Sequence, residues 1–197
     1  MTDNQREMPH TVVLDAKGLR ALAHPVRVQL VGLLRKHGPS TATRLADRLG
    51  LNSGATSYHL RQLDSAGFVE EDTERGNARE RWWRSVHRTT QFKDTELAER
   101  EPEATLAYLQ SVAALYTLRV QRALNEFQTI PRPWRDAFDM SDRPLRLTPE
   151  ESRSLQEELT SVITRYRLDT PEAAAGAPEG AERVSVITLV LPELETE

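Results

Sequence analysis

Residues 40–83 read STATRLADRLGLNSGATSYHLRQLDSAGFVEEDTERGNARERWW. A capped helix is predicted to start at Ser40 and to end at Gly50, a residue type that suits the left-handed position closing a helix. After a tight turn, a second helix is predicted from Ser53 to Gly67. This order is the helix-turn-helix plan, whose second helix lies in the major groove in DNA-binding examples.

The second predicted helix has two chemically different faces. Thr56, Leu60, Leu63 and Gly67 recur at steps of four, three and four, so this stripe faces a core. The opposite face carries small, polar or basic side chains, which suit contacts with DNA. Its members are Ser53, Ala55, Ser57, Tyr58, Arg61 and Gln62. The alternative is an ordinary amphipathic helix hairpin. His59 is interpreted as a partly buried spacer rather than a base reader.

A β-hairpin is predicted after the second helix. Strands over 68–70 and 80–84 flank a charged turn over 71–78, and such a hairpin is the wing of a winged helix. Guanidinium groups there can reach a phosphate or a minor groove. The candidates for DNA contact are Arg75, Arg79 and Arg81, followed by Arg84. Because Glu and Asp residues are interleaved with them, a salt-bridged hairpin is the alternative.

Trp82 and Trp83 are predicted to point to opposite faces of the second wing strand, since side chains alternate along a strand. One of them is expected in the core. The other is expected at a dimer or interdomain contact, or as an apolar lid.

Four segments carry a family resemblance: ALAHPVR at 21–27, LADRLGL at 45–51, SYHLRQL at 57–63 and AGFV at 66–69. With them, the region from Leu19 to Ser85 resembles the DNA-binding domain of ArsR-like winged-helix transcriptional regulators. The resemblance covers roughly a third of the chain. It implies a homodimer that binds an inverted-repeat operator in double-stranded DNA, often as a repressor.

The metal-sensing motifs of that family are absent. Its best-known members sense metal through paired cysteines or through histidine with acidic residues, whereas this chain has no cysteine. Its five histidines, at positions 10, 24, 37, 59 and 87, form no ligand pair at helical spacing. We therefore predict no regulatory metal and no cofactor. No phosphate loop or catalytic motif occurs either, which predicts a protein that is not an enzyme.

Charge separates the chain into two halves. Residues 17–93 hold 14 Lys and Arg against 7 Asp and Glu, a net charge of +7, whereas residues 94–197 hold 11 against 20, a net charge of −9. A basic half joined to an acidic half is typical of a nucleic-acid binder with a separate regulatory or partner-binding region. The missing cysteines and the polar N-terminus predict a cytoplasmic protein with no contact with membranes.

A long helix is predicted over 103–128, with an apolar seam at alternating steps of three and four. This pattern is typical of a helix that packs along another helix, here the dimer mate. The seam consists of Leu106, Leu109, Ala113, Tyr116, Val120, Ala123 and Phe127. Packing within its own subunit is the alternative.

The C-terminal region predicts a small strand-helix-strand unit. Residues 145–147 and 184–191 are the strands, and Thr148 caps the helix between them. A small-molecule effector or a protein partner is expected near Trp134, Phe138 and Tyr166. The alternative is a unit that only braces the dimer.

Together, these predictions indicate a mainly α fold with a winged helix-turn-helix, of the α+β class. The predicted layout is a flexible lead (1–14), the winged domain (15–93), the dimerisation helix (94–130) and the C-terminal unit (131–197). Two helical pieces, 15–23 and 26–37, open the winged domain, with Pro25 ending or starting one of them. Besides a transcription regulator, the sequence leaves open a protein-interaction module or an effector-free architectural DNA binder.

Overall fold

The computed structural model describes residues 11–75 and 80–193, and the chain divides into two units, Met1–Thr129 and Ile130–Glu197. No helix among the described residues is long and apolar enough to cross a membrane. The first unit contains, in chain order, β1 (Thr11–Val13), α1 (Ala16–Leu22), α2 (Pro25–His37), β2 (Ser40–Thr41), α3 (Ala42–Leu49), α4 (Ser53–Ser65), β3 (Val69–Glu71), β4 (Trp82–Ser85), β5 (Thr89–Gln91), α5 (Thr95–Arg100) and α6 (Pro102–Glu126).

Polar side chains start the first two helices. Asp15 caps α1, because its Oδ1 accepts the Gly18 N–H at 2.7 Å. Pro25 lies in the first turn of α2, where a proline removes no helical hydrogen bond. His24 caps that helix, its Nδ1 accepting the Val26 N–H at 3.2 Å.

The predicted hairpin of β3 and β4 is present, and β2 adds a third strand to its sheet. The sheet order is β2-β4-β3, with β4 antiparallel to both neighbours. Trp83 of β4 lies opposite Ser40 on one side and opposite Glu71 on the other. Because β2 runs directly into α3, this pairing fixes the start of the helix-turn-helix against the wing.

The prediction of a flexible lead over 1–14 is wrong for its last four residues, while residues 1–10 lie outside the described range. β1 pairs in parallel with β5, with Thr11 opposite Thr89, and Leu14 is buried. Three residues are too few to predict a strand from the sequence alone. The partner strand β5 also lies far along the chain, so local patterns do not indicate the pairing.

The core of the first unit consists of apolar side chains from α1, α2, α3, α4 and the wing. Its fully buried members include Leu19, Leu30, Leu45, Leu60, Leu63 and Phe68. Trp83 is buried and Trp82 is half-buried, which confirms that one of the two tryptophans belongs to the core. Arg35 joins α2 to the segment after β4, because its guanidinium group donates to the His87 carbonyl at 2.7 Å and to Thr90 Oγ1 at 2.8 Å.

The second unit contains α7 (Arg132–Asp136), α8 (Pro149–Ile163) and α9 (Pro171–Ala175). α8 begins with the predicted capping box, in which Thr148 and Glu151 satisfy each other's backbone N–H groups at 3.2 and 2.8 Å. The predicted strands over 145–147 and 184–191 are wrong, because the structure assigns neither segment to a strand. A strand requires a neighbour that accepts its backbone hydrogen bonds, and the two segments do not pair with each other.

Candidate nucleic-acid interface

The turn between α3 and α4 is held by two caps. Gly50 adopts a left-handed conformation with φ of 66°, and its N–H bonds back to carbonyls in the last turn of α3. Asn52 then starts α4, its Oδ1 accepting the Ala55 N–H at 2.7 Å. These local bonds set the angle at which α4 leaves α3, so they determine how α4 is presented to solvent.

The two faces of α4 are arranged as the sequence predicts, except that Gly67, predicted to face the core, lies beyond the end of the helix and is exposed. Thr56, Leu60 and Leu63 are buried, and Thr56 Oγ1 donates to the Asn52 carbonyl at 3.1 Å, which gives it a structural role. On the other face, Ser53, Arg61 and Gln62 are exposed and Tyr58 is 54% exposed. Ala55 and Ser57 are half-buried beside them. The exposed face therefore offers hydroxyl, amide and guanidinium groups to a ligand.

A polar groove of about 400 Å³ runs between α4, the start of α3 and the wing. Ser57 and Arg61 line it from α4, while Glu80, Arg81 and Trp83 line it from the wing. Thr41, Ala42 and Thr43 line it at the N-terminus of α3, where backbone N–H groups and the helix dipole favour an anion. Arg61 forms no ion pair among the described residues, so its charge is available to that groove.

The wing arginines are engaged in ion pairs. Arg81 lies 3.0 Å from Glu71 and Arg84 lies 2.8 Å from Glu70, in each case across the hairpin. Arg75 lies 3.4 Å from the buried carboxylate of Asp72. The salt-bridged alternative thus describes this hairpin in the free chain. Arg79, the remaining wing candidate, lies outside the described residues.

Trp82 has a neighbour that the sequence does not suggest. The Arg44 guanidinium carbon lies 4.9 Å from the centre of the Trp82 ring, a cation–π distance. The half-buried tryptophan therefore joins the exposed side of α3 to the wing. A dimer contact or a lid is not needed to explain its position.

The sequence also fails to show that His24 and His59 contact each other. Their ring centres lie 4.5 Å apart, which places the α2 cap against the side of α4. Burial, and then the charge of Arg27, lower the pKa of His24. Burial lowers the pKa of His59 as well, followed by the charges of His24 and Arg27. Helical spacing cannot reveal this pair, because its members belong to different elements.

The predicted seam of α6 is partly exposed. Leu106 is 58% exposed, Leu109 is 49% exposed, and Ala113 is exposed. The remaining seam members, Tyr116, Val120, Ala123 and Phe127, are half-buried. A neighbouring stripe that includes Thr105, Tyr108 and Ser111 is buried instead. α6 thus uses one stripe to pack within its unit and leaves part of a second apolar stripe open.

The three aromatic residues predicted to lie near an effector site differ in exposure. Trp134 is half-buried in α7, whereas Phe138 is exposed and Tyr166 is 74% exposed. A shallow cavity in the second unit is lined by α8 and by Thr188 and Val190. The effector site remains a prediction.

Metal ligands do not cluster in the described part of the chain, where no three His, Asp or Glu side chains could hold a metal ion together. The absence of regulation by a metal remains a prediction.

Comparison with known proteins defines the class of the first unit. A family described as a helix-turn-helix domain matches residues 22–72, which span α2 to β3. With the wing of β3 and β4, the fold is a winged helix-turn-helix of the α+β class. Domains of this class are DNA-binding modules of transcription regulators.

No curated protein matches the chain. Five chains of solved structures match it. One is an apo form of a mutant ZitR from Lactococcus lactis, which is 14% identical to this chain. The match covers 74% of this chain and 84% of that chain, with a TM-score of 0.33.

Proposed function

We propose that the protein is a sequence-specific transcription regulator that binds double-stranded DNA as a homodimer. The observation that carries this proposal is the exposed polar face of α4, which lies opposite the buried Leu60 and Leu63. A helix with this division is held rigidly by its apolar side while its polar side enters a major groove. The match to a helix-turn-helix family supports the same function.

The structure supports distinct roles for the residues of this face. Arg61 and Gln62 are long enough to reach base edges, where guanidinium and amide groups give the strongest discrimination. Ser53, Ala55, Ser57 and Tyr58 contact the sugar-phosphate backbone or pack against bases nearby. In the wing, Arg75, Arg79 and Arg81 approach the backbone or the adjacent minor groove. The ion pairs of Arg75 and Arg81 limit their contribution, since a phosphate must compete with a carboxylate.

The homodimer uses the open stripe of α6 and presents two copies of α4 to an inverted-repeat operator. Binding at a promoter would exclude other proteins from the same DNA, so we propose a repressor. The exposed Leu106 and Leu109 support the dimer contact, because apolar side chains exposed along a helix at this spacing pack well against a second helix.

Arg61→Ala and Tyr58→Ala test the DNA-binding face. Binding sites would be selected from a random DNA library, and affinities measured by gel shift. Loss of Arg61 is expected to cost about 1–3 kcal/mol of binding free energy and to relax specificity if it reads a base. If it holds a phosphate, all sequences should weaken alike and the salt dependence of binding should fall.

Arg153→Ala is the matched control, because it removes the same charge from the exposed surface of α8. Its affinity should equal that of the unchanged protein. The assignment of α4 is wrong if the double variant at positions 58 and 61 binds the selected DNA as tightly as the control.

A further inference from the structure

Three basic side chains form a cluster beside α4, outside the polar face described above. His24 and Arg27 belong to the start of α2, and His59 belongs to α4. The rings of His24 and His59 lie 4.5 Å apart. Burial, followed by the charges of His24 and Arg27, lowers the pKa of His59, so Arg27 lies close to the two rings. All three side chains are half-buried, so solvent still reaches the cluster.

The positive charge of this cluster is not balanced by an acid. Within the described ranges Arg27 forms no ion pair, and its Nη2 donates to the Arg20 carbonyl at 3.1 Å. In the same ranges, Arg27 Nε and His59 Nδ1 are buried without a hydrogen-bond partner. A buried donor without an acceptor costs free energy. An anion bound to the cluster would supply the missing charge and an acceptor for Arg27.

The cluster lies on the side of α4 that faces away from the polar groove. Each residue of an α-helix is turned by about 100° from the one before it. Measured from the buried Thr56, Arg61 lies about 140° to one side and His59 about 60° to the other. Arg61 lines the polar groove toward the wing. Tyr58, whose ring meets that of His59 edge-on at 5.6 Å, connects the cluster to the exposed face.

We propose that His24, Arg27 and His59 bind a phosphate of the DNA backbone. This inference rests on the proposed function, because it names a further contact of the same complex. A helix in the major groove has a sugar-phosphate strand on each side, and α4 carries basic groups on both of its sides. The polar groove with Arg61 faces one strand, and the cluster faces the other.

Each member of the cluster has a separate role. Arg27 supplies the charge, because a guanidinium group stays protonated at neutral pH. His24 supplies a donor, since its Nδ1 accepts the Val26 N–H at 3.2 Å and its neutral ring therefore carries the proton on Nε2. His59 connects the site to α4 through its ring contact with His24. Such a contact fixes the orientation of α4 in the groove and carries no sequence information.

Arg27→Gln tests the charge, with affinities for the selected DNA measured by gel shift over a series of salt concentrations. Binding to all sequences should weaken alike, by about tenfold, and the salt dependence should fall by about one released ion for each bound subunit. Arg27→Lys retains the charge and should retain the salt dependence. Arg122→Gln is the matched control, because it removes the same charge from an exposed position of α6.

Neutral methylphosphonate groups, placed at one phosphate at a time along both strands, would locate the contact. One position in each half-site should weaken binding of the unchanged protein by about tenfold and have no further effect on Arg27→Gln. His24→Asn, which can still cap α2, should lose its sensitivity at the same position.

Equal losses at every position in the unchanged protein and in both variants would overturn the phosphate contact, as would an unchanged salt dependence in Arg27→Gln. The proposed function fails by a different result, in which the double variant at positions 58 and 61 binds DNA as tightly as its control. Failure of this contact is therefore distinguishable from failure of DNA binding through α4.

Discussion

The ring of His24 links the α2 cap to the side of α4. Its Nδ1 accepts the Val26 N–H, so this nitrogen must be unprotonated, and its ring lies against His59. A proton on His24 would break the cap and place a positive charge at the N-terminus of α2, where the helix dipole opposes it. Arg27 adds a further positive charge to the cluster.

This arrangement predicts that acid destabilises the first unit. The pKa values of both histidines are lowered in the folded chain, so the unfolded chain binds more protons below about pH 6.5. The contribution to stability is fully present above that pH and is lost as the pH falls below it. Solvent screening of the partly exposed rings should keep the loss below about 1 kcal/mol.

Urea unfolding of the unchanged protein and of His24→Asn, at pH 7.5 and pH 5.5, would measure the effect. Asparagine can still cap the helix but does not titrate. The variant should therefore lose less stability on acidification than the unchanged protein does. An identical loss in both proteins would show that His24 does not contribute to the pH dependence.

At the scale of elements, α6 carries two adjacent stripes with different uses. The stripe with Tyr108 packs into the unit, and the stripe with Leu106 and Leu109 remains open. Leu106→Asp with Leu109→Asp should therefore leave the fold intact and weaken the proposed dimer. Each leucine buried in a dimer contributes on the order of 1.5–3 kcal/mol, so the dissociation constant should rise by ~100-fold or more.

Sedimentation would measure that change, with thermal unfolding as a check on the fold. Gln110→Asp with Gln121→Asp is the matched control, because it adds the same charge to exposed positions of α6 outside the seam. A dimer that is equally stable in both double variants would place the interface elsewhere.

The sequence predicts an element correctly where local chemistry determines it. Gly50 and the stripe of Leu60 and Leu63 specify the helix-turn-helix through contacts within a few residues. The predictions are wrong where pairing is distant in the chain. β1 depends on β5, and residues 184–191 have the composition of a strand but no partner in the structure. The ion pairs of the wing could be stated only as an alternative, because spacing does not fix which charges meet.

Charge distinguishes the two parts of the whole molecule. The segment that contains the helix-turn-helix and wing has a net charge of +7, although the whole chain has a net charge of −4. Phosphate contacts release counterions, so DNA affinity should fall steeply with salt despite the acidic total charge. The net negative charge of residues 94–197 repels DNA, so it opposes binding through that part of the chain.

In the proposed homodimer, two copies of α4 related by a two-fold axis predict the spacing of the operator. They should read half-sites whose centres are about 10 base pairs apart, one turn of DNA. Inserting five base pairs between the half-sites turns one of them to the opposite side of the duplex. The dimer can then engage only one half-site, and affinity should fall by about 10²–10⁴, the usual gain from bivalent binding.

A site of unchanged length with five substituted spacer base pairs is the control, and gel shifts would compare the two. Equal affinity for both would contradict a two-fold dimer bound to both half-sites.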